Sequence, residues 1–297
     1  MRVMFDEVRS NKIRSYLLIF IFIILIAALG AIIGYFYGSI YFGLGLALFF
    51  ALIYTLIVFN TGDKMILGLS GARPVTKKEY PYLHHTIEGL AIAAGIPKPK
   101  AYVIQDEAMN AFATGKDPKN ASITVTTGLL KNMNREELEG VVAHEMSHIK
   151  NFDIRVMMLA VVLVGIIALL SHFFLRSFMF GRRKDSKDSG QLTIILFAIG
   201  LVLAILTPFI AQLIKLAISR RREYMADASG AILTRYPPGL ASALKKIQKD
   251  SHVLKSASSA TAPLYISNPL RKSKSFIANL FSTHPPIEER IRRLEAM

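Results

Sequence analysis

The stretch NREELEGVVAHEMSHIKNFD, residues 134 to 153, decides how the rest of the chain is to be read. Leu138, Val141, Val142, Glu145 and Ile149 recur at helical spacing within it. Asn134 stands just ahead of that pattern with Glu137 three residues on, the pairing of a capping box, so a helix is predicted to begin there. The helix carries His144-Glu145-Met146-Ser147-His148. Side chains at i and i+4 lie about 40° apart around a helix axis and one turn along it. His144 and His148 can therefore grip one metal ion from one face. Glu145 need not bind; it can poise a metal-bound water as general base. The pattern is short, and two ordinary surface or core histidines on a helix are the plainer alternative.

A catalytic zinc takes three protein ligands and keeps one position open, so a third donor must come from elsewhere. The segment RREYMADA, residues 221 to 228, offers Glu223 as that ligand. Asp227 follows one turn later on the same face, where it could accept a hydrogen bond from a ligand histidine and fix its tautomer. The plainer alternative is that both acids only offset Arg220, Arg221 and Arg222. His84 and His85 have no partner signal, His172 lies deep in an apolar run and His252 lies in a loop, so none competes as a ligand.

Outward from this centre the chain is strongly apolar. Of 297 residues 52% are hydrophobic, and the mean hydropathy is +0.39. Runs at 16–35, 40–59, 156–175 and 192–218 are each long enough to cross a bilayer, which takes about 20 residues. The first is too long for a signal-peptide core and reads as a retained anchor. The expected organisation is an N-terminal membrane hairpin (1–59), a first half of a catalytic domain holding the histidine helix (60–155), a second hairpin (156–218), and a second half supplying Glu223 (219–297). Gly30, Gly34 and Gly38 recur every four residues, the spacing of closely packed membrane helices.

Between the spans, a helix is expected from Pro81 to Ala94, ended by Gly95-Ile96-Pro97. Strand-like runs follow in KAYVIQD, NAFATG and ASITVTTGLL. Residues 251–275, rich in Ser, Ala and Lys, read as a mobile loop, and a short helix enters through Pro285-Pro286. The loop between the third and fourth runs carries Arg176, Arg182, Arg183, Lys184 and Lys187. If both runs cross fully, this opposes the positive-inside rule; a shallow hairpin would remove the conflict.

The formal net charge is +15. No nucleic-acid-binding motif accompanies it, and a basic excess beside membrane helices is explained by topology and anionic lipid, so no nucleic-acid partner is expected. With no cysteine, disulfides and thiol catalysis are excluded.

"NAFATG", the histidine motif, "EYMADA" and "STHPP", in that order among four apolar spans, resemble the HtpX membrane metalloproteases of peptidase family M48, relatives of the CAAX prenyl protease Ste24. The resemblance covers essentially the whole chain. It implies an α-helical membrane protein with four transmembrane helices and a zincin-like α+β catalytic domain. It also implies one Zn2+ per chain and polypeptide substrates, mainly membrane proteins cleaved in quality control at the cytoplasmic membrane. Position by position, His144, His148 and Glu223 match the zinc ligands, Glu145 the catalytic base and Asp227 the acid after the third ligand. Asn110, Ala111 and Phe112 are candidate sheet-edge contacts to substrate. His284 could donate to the oxyanion or could simply be a helix-entry residue. A Ste24-like prenyl-protein protease, and a non-catalytic scaffold or transporter with a structural metal, stand as alternatives.

Helix arithmetic adds a location. Glu223 lies five residues past Ile218, about 8 Å at 1.5 Å per residue. His148 lies about 12 Å before the third run, provided the helix continues unbroken through Asn151-Phe152-Asp153.

Overall fold

In the computed structural model the described residues are 2–36, 38–163, 165, 166, 176, 200, 220–258, 261–269 and 285–297. Two long helices open the chain, α1 (Arg2–Phe36) and α2 (Ile40–Leu69). Both are long and apolar enough to cross a membrane, over Val8–Tyr35 and Ile40–Leu69. Their outer faces expose Phe20, Ile24, Phe42, Phe49, Phe50 and Leu56, a surface that is stable against lipid and a liability in water. The two helices touch through glycine. A Cβ on Gly34 would come within 2.9 Å of the Gly43 Cα, and one on Gly43 within 2.6 Å of the Gly34 Cα. Gly38 does not share this packing; it takes φ +85 at the hairpin turn and meets nothing within 4 Å. Most of the third run beyond residue 163, nearly all of the fourth and the charged loop between them lie outside the described residues.

The soluble part is mixed α/β. Strands β1 (Arg73–Pro74), β2 (Lys100–Ile104), β3 (Ala111–Gly115) and β4 (Ala121–Thr126) form one sheet in the order β1-β2-β4-β3. β2 runs parallel to β4, while β1 and β3 are antiparallel to their neighbours. Helix α3 (Pro81–Ala94) keeps its expected bounds, with proline in its first turn and Gly95 left-handed at φ 68 closing it. The end of ASITVTTGLL leaves the sheet, because Thr126 caps a short helix, α4 (Thr127–Asn132).

Helix α5 (Arg135–Lys150) starts at the predicted capping box: the Asn134 side chain accepts from the Glu137 N–H at 2.9 Å, and Glu137 accepts from the Asn134 N–H at 2.8 Å. Its apolar stripe packs with Leu83, Ile87, Ile123, Val125, Leu240 and Leu244 in the core of the soluble domain. Helices α6 (Arg220–Thr234), α7 (Pro237–Lys249) and α8 (Ile287–Glu295) complete the layer around it. Gly230 lets α6 lie against α5 at the metal motif, since a Cβ there would meet the His144 backbone nitrogen at 3.1 Å.

Two expectations are corrected. The helix does not run straight from α5 toward the membrane: it is capped at Asn151, Phe152 turns left-handed at φ 61, and a new helical segment begins at 153. The 12 Å estimate therefore lapses. Residues 261–269, expected in a mobile loop, are largely buried, with the Ile266 N–H donating to the Ala111 carbonyl at 2.9 Å. Residues 270–275 lie outside the described residues.

Candidate metal centre

His144, His148 and Glu223 come together as the sequence reading expected, each buried, with their donor atoms within 4.8 Å of one another. The Nε2 atoms of the two imidazoles face each other at 3.2 Å. Glu223 places one oxygen 3.5 Å from the His148 Nε2 and the other 3.8 Å from the His144 Nε2. Four ligands around an ion with bonds of about 2.0–2.1 Å lie about 3.3 Å apart at the corners of a tetrahedron. The separation of the two nitrogens matches that spacing, and each Glu223 oxygen lies somewhat farther from the nitrogen it faces.

What suits the arrangement to a cation is the fate of the other ring nitrogens. The His144 Nδ1 is 2.9 Å from Asp227 Oδ1, and the His148 Nδ1 is 2.9 Å from Asp153 Oδ2. An ionised carboxylate only accepts, so each Nδ1 carries the proton and each neutral ring directs its Nε2 lone pair inward. Two inward lone pairs and a buried carboxylate repel one another unless a proton or a cation lies between them. The titration behaviour without metal reports the same tension. Burial lowers the His144 pKa, whereas Asp153 and Glu223 overcome burial at His148 and hold it at about 9. One imidazole thus takes up a proton where an ion would bind.

Glu145 lies one residue along from His144, fully in the interior. Burial pushes its carboxyl up to about 7, and its Oε1 is a buried atom without a hydrogen-bond partner. An orphaned acceptor in an active-site position is a group held ready for a reactant.

Each ligand has a support behind it. Arg290 on α8 grips Asp227 with two bonds, Nε to Oδ2 at 2.8 Å and Nη2 to Oδ1 at 2.7 Å. Its remaining nitrogen Nη1 donates to the Ile266 carbonyl at 2.9 Å and lies 3.7 Å from Glu223. Burial opposes the Asp227 charge, but Arg290 prevails and holds its pKa at about 2. On the other side, Arg222 approaches Asp153 at 3.2 Å, and Asn11 of α1 donates to the same oxygen at 2.7 Å.

Asp227 occupies its expected role. Asp153, Arg222, Arg290 and Asn11 are groups the sequence reading did not single out. The sequence does hold a signal for Arg290: with Ile287, Ile291 and Leu294 it completes an i, i+3, i+4, i+7 stripe, so it falls on the buried face of α8. Asp153 carries no comparable mark, because its place beneath His148 depends on the left-handed turn at Phe152.

Asn110, Ala111 and Phe112 are buried beside the centre, but this chain covers them. Asn110 donates to the Ser267 carbonyl at 3.0 Å, the Ala111 carbonyl accepts from Ile266, and Phe112 meets Tyr265 edge-on at 5.1 Å. Asn110 directs its carbonyl to Thr126 of β4 and Ala111 directs its own outward. By strand alternation, Ala113 also faces outward, and its backbone N–H meets the Glu145 carboxyl. His284 lies outside the described residues.

The comparisons agree with this geometry. The model of peptidase family M48 matches residues 77–297. A protease HtpX homolog of Dictyoglomus thermophilum is 50% identical over 293 residues, spanning 99% of this chain and 94% of that protein. One from Caldanaerobacter subterraneus is 46% identical over 300 residues, spanning 100% and 98%. One from Tropheryma whipplei is 43% identical, spanning 99% of each. The crystal structure of S. mikatae Ste24p shares the fold with a TM-score of 0.51 at 22% identity, covering 98% of this chain and 67% of that one. A buried three-donor metal site, two membrane-length helices and full-length likeness to these proteases converge on one conclusion: the chain belongs to peptidase family M48 and is a membrane-bound metalloprotease of the HtpX family.

Proposed function

We propose that this protein is a zinc endopeptidase that cleaves misfolded or damaged membrane proteins on the cytoplasmic side of the membrane. His144, His148 and Glu223 hold the ion, and Glu145 is the general base. The observation that carries this reading is the pair of inward Nε2 atoms 3.2 Å apart, each with its Nδ1 committed to a carboxylate. Two imidazole nitrogens and a carboxylate oxygen are donors that suit zinc.

Zinc bound there supplies Lewis acidity that brings water toward ionisation at neutral pH and polarises a peptide carbonyl. Glu145 takes the proton released by the attacking water at its unpartnered Oε1. It then delivers that proton to the departing amine, so one water is consumed for each peptide bond broken. Asp227 and Asp153 keep the imidazoles in one tautomer throughout. The outward edge at Ala113 is where an extended substrate would lie beside Glu145.

Four membrane crossings are part of the proposal, with catalytic halves at 60–155 and 219–297 joined by the hairpin 156–218. Glu223 and His144 share one site, so that hairpin must return to the side it left. With basic residues Arg9, Lys12 and Arg14 ahead of the first span, that side is the cytoplasm. The site then lies close above the bilayer, where juxtamembrane segments of substrates emerge.

The test uses the full chain purified free of metal, beside Glu145→Gln. On adding zinc, the unsubstituted protein is expected to fragment itself. Glu145→Gln should bind one zinc per chain and stay intact. Identical behaviour of the two would overturn the catalytic reading, and absence of zinc binding would overturn the metal site.

A further inference from the structure

We infer that Asn11, on membrane helix α1, is a positioning residue of the metal centre, holding Asp153 against the ligand His148. This rests on the zinc site proposed above. The amide is completely buried and uses every bond its position allows. Its Nδ2 donates to Asp153 Oδ1 at 2.7 Å and to the Asn151 carbonyl at 2.9 Å. Its Oδ1 accepts from the Arg222 Nη1 at 3.0 Å. The orientation is forced: turned over, the amide would point oxygen at two acceptors and nitrogen at a donor.

These bonds secure two things at once. Asp153 has one oxygen on the His148 Nδ1 and the other on Asn11, so both ends of the carboxylate are fixed. The bond to the Asn151 carbonyl ties the same amide to the turn, left-handed at Phe152, that brings Asp153 back under His148. A left-handed phenylalanine is a strained backbone that persists only where its surroundings hold it, and Asn11 is one of the groups that do. Helix α1 is therefore more than an anchor. Asn11 lies five residues ahead of the apolar run that begins at Tyr16, about 8 Å along the helix.

The experiment measures zinc affinity by chelator competition on the full chain in lipid nanodiscs, carrying Glu145→Gln to stop self-cleavage. Asn11→Ala should weaken zinc about tenfold, the lower end of the effect of losing a ligand's hydrogen-bond support. Asn11→Asp keeps the shape and reverses the donors, so it should weaken zinc at least as much while preserving the packing; it serves if Asn11→Ala does not fold. Ile13→Ala, on the exposed side of the same helix, should leave affinity within about twofold. With Asp153→Asn already present, Asn11→Ala should add less than about twofold, because both act through one carboxylate. Unchanged affinity in both Asn11 variants, or a full additional loss in the Asp153→Asn background, would overturn the inference and leave the zinc site standing. A parent protein that binds no zinc would overturn both.

Discussion

The two histidines of the centre differ little as ligands and greatly in what stands behind them. Behind His144 is Asp227, held by both arms of a guanidinium from the C-terminal helix α8. Behind His148 is Asp153, held by an amide from the membrane helix α1 and one nitrogen of Arg222. The first support is a rigid fork between full charges within the soluble domain. The second is shared among weaker donors and reaches into the membrane hairpin. One imidazole is thus fixed by the domain's own core and the other by the way that domain docks on its anchor.

The sharpest way to break the comparison is to remove each cation in turn. Arg290→Ala strands a buried carboxylate and should destabilise the metal-free protein by about 3–5 kcal/mol. Arg222→Ala leaves Asp153 its bond from Asn11 and should lose about 1–3 kcal/mol. Urea unfolding in a fixed detergent measures both, and equal losses would erase the distinction. Next come the carboxylates. Asp227→Asn and Asp153→Asn should each weaken zinc by roughly 10- to 100-fold, with Asp227→Asn the larger because it also strands Arg290. Chelator competition ranks them.

A smaller effect concerns the group between the two arms. The Glu145 carboxyl titrates at about 7 in the fold against an ordinary 4.5. Its folded pKa is raised, so the stability this group contributes to the metal-free protein is fully present below about 4.5 and is lost as pH rises through 7. Glu145→Gln, which cannot ionise, should therefore melt higher than the unsubstituted metal-free protein at pH 8 and level with it near pH 4.5. The opposite order would mean that Glu145 is ionised in the fold throughout. The smallest effect is a control: Arg292→Ala, on α8 beside Arg290 but exposed, should change neither melting temperature nor zinc affinity measurably.

Much of the centre was legible because its signals are local. The capping box, the i, i+4 histidines and the Glu223–Asp227 pair are each contained in one helix, where spacing fixes direction. The supports were harder to see because each depends on a long-range fit. Asp153 needs a turn through a residue that gives no glycine-like warning. Arg290 sits among Arg292 and Arg293 and differs from them only in helix face. Asn11 belongs to a segment that composition marks only as the approach to a membrane span. Residues 261–269 looked loose from their small polar residues, yet Tyr265 and Ile266 bury them against β3.

The spread of the centre along the chain has a consequence for how the enzyme is made. A ribosome that has just released α5 has exposed both histidines, but Glu223 lies 75 residues beyond His148 and Arg290 lies 142 residues beyond it. Until those segments emerge and dock, the newborn chain has no third donor and no fork behind Asp227. Proteolytic competence is therefore among the last properties this polypeptide acquires.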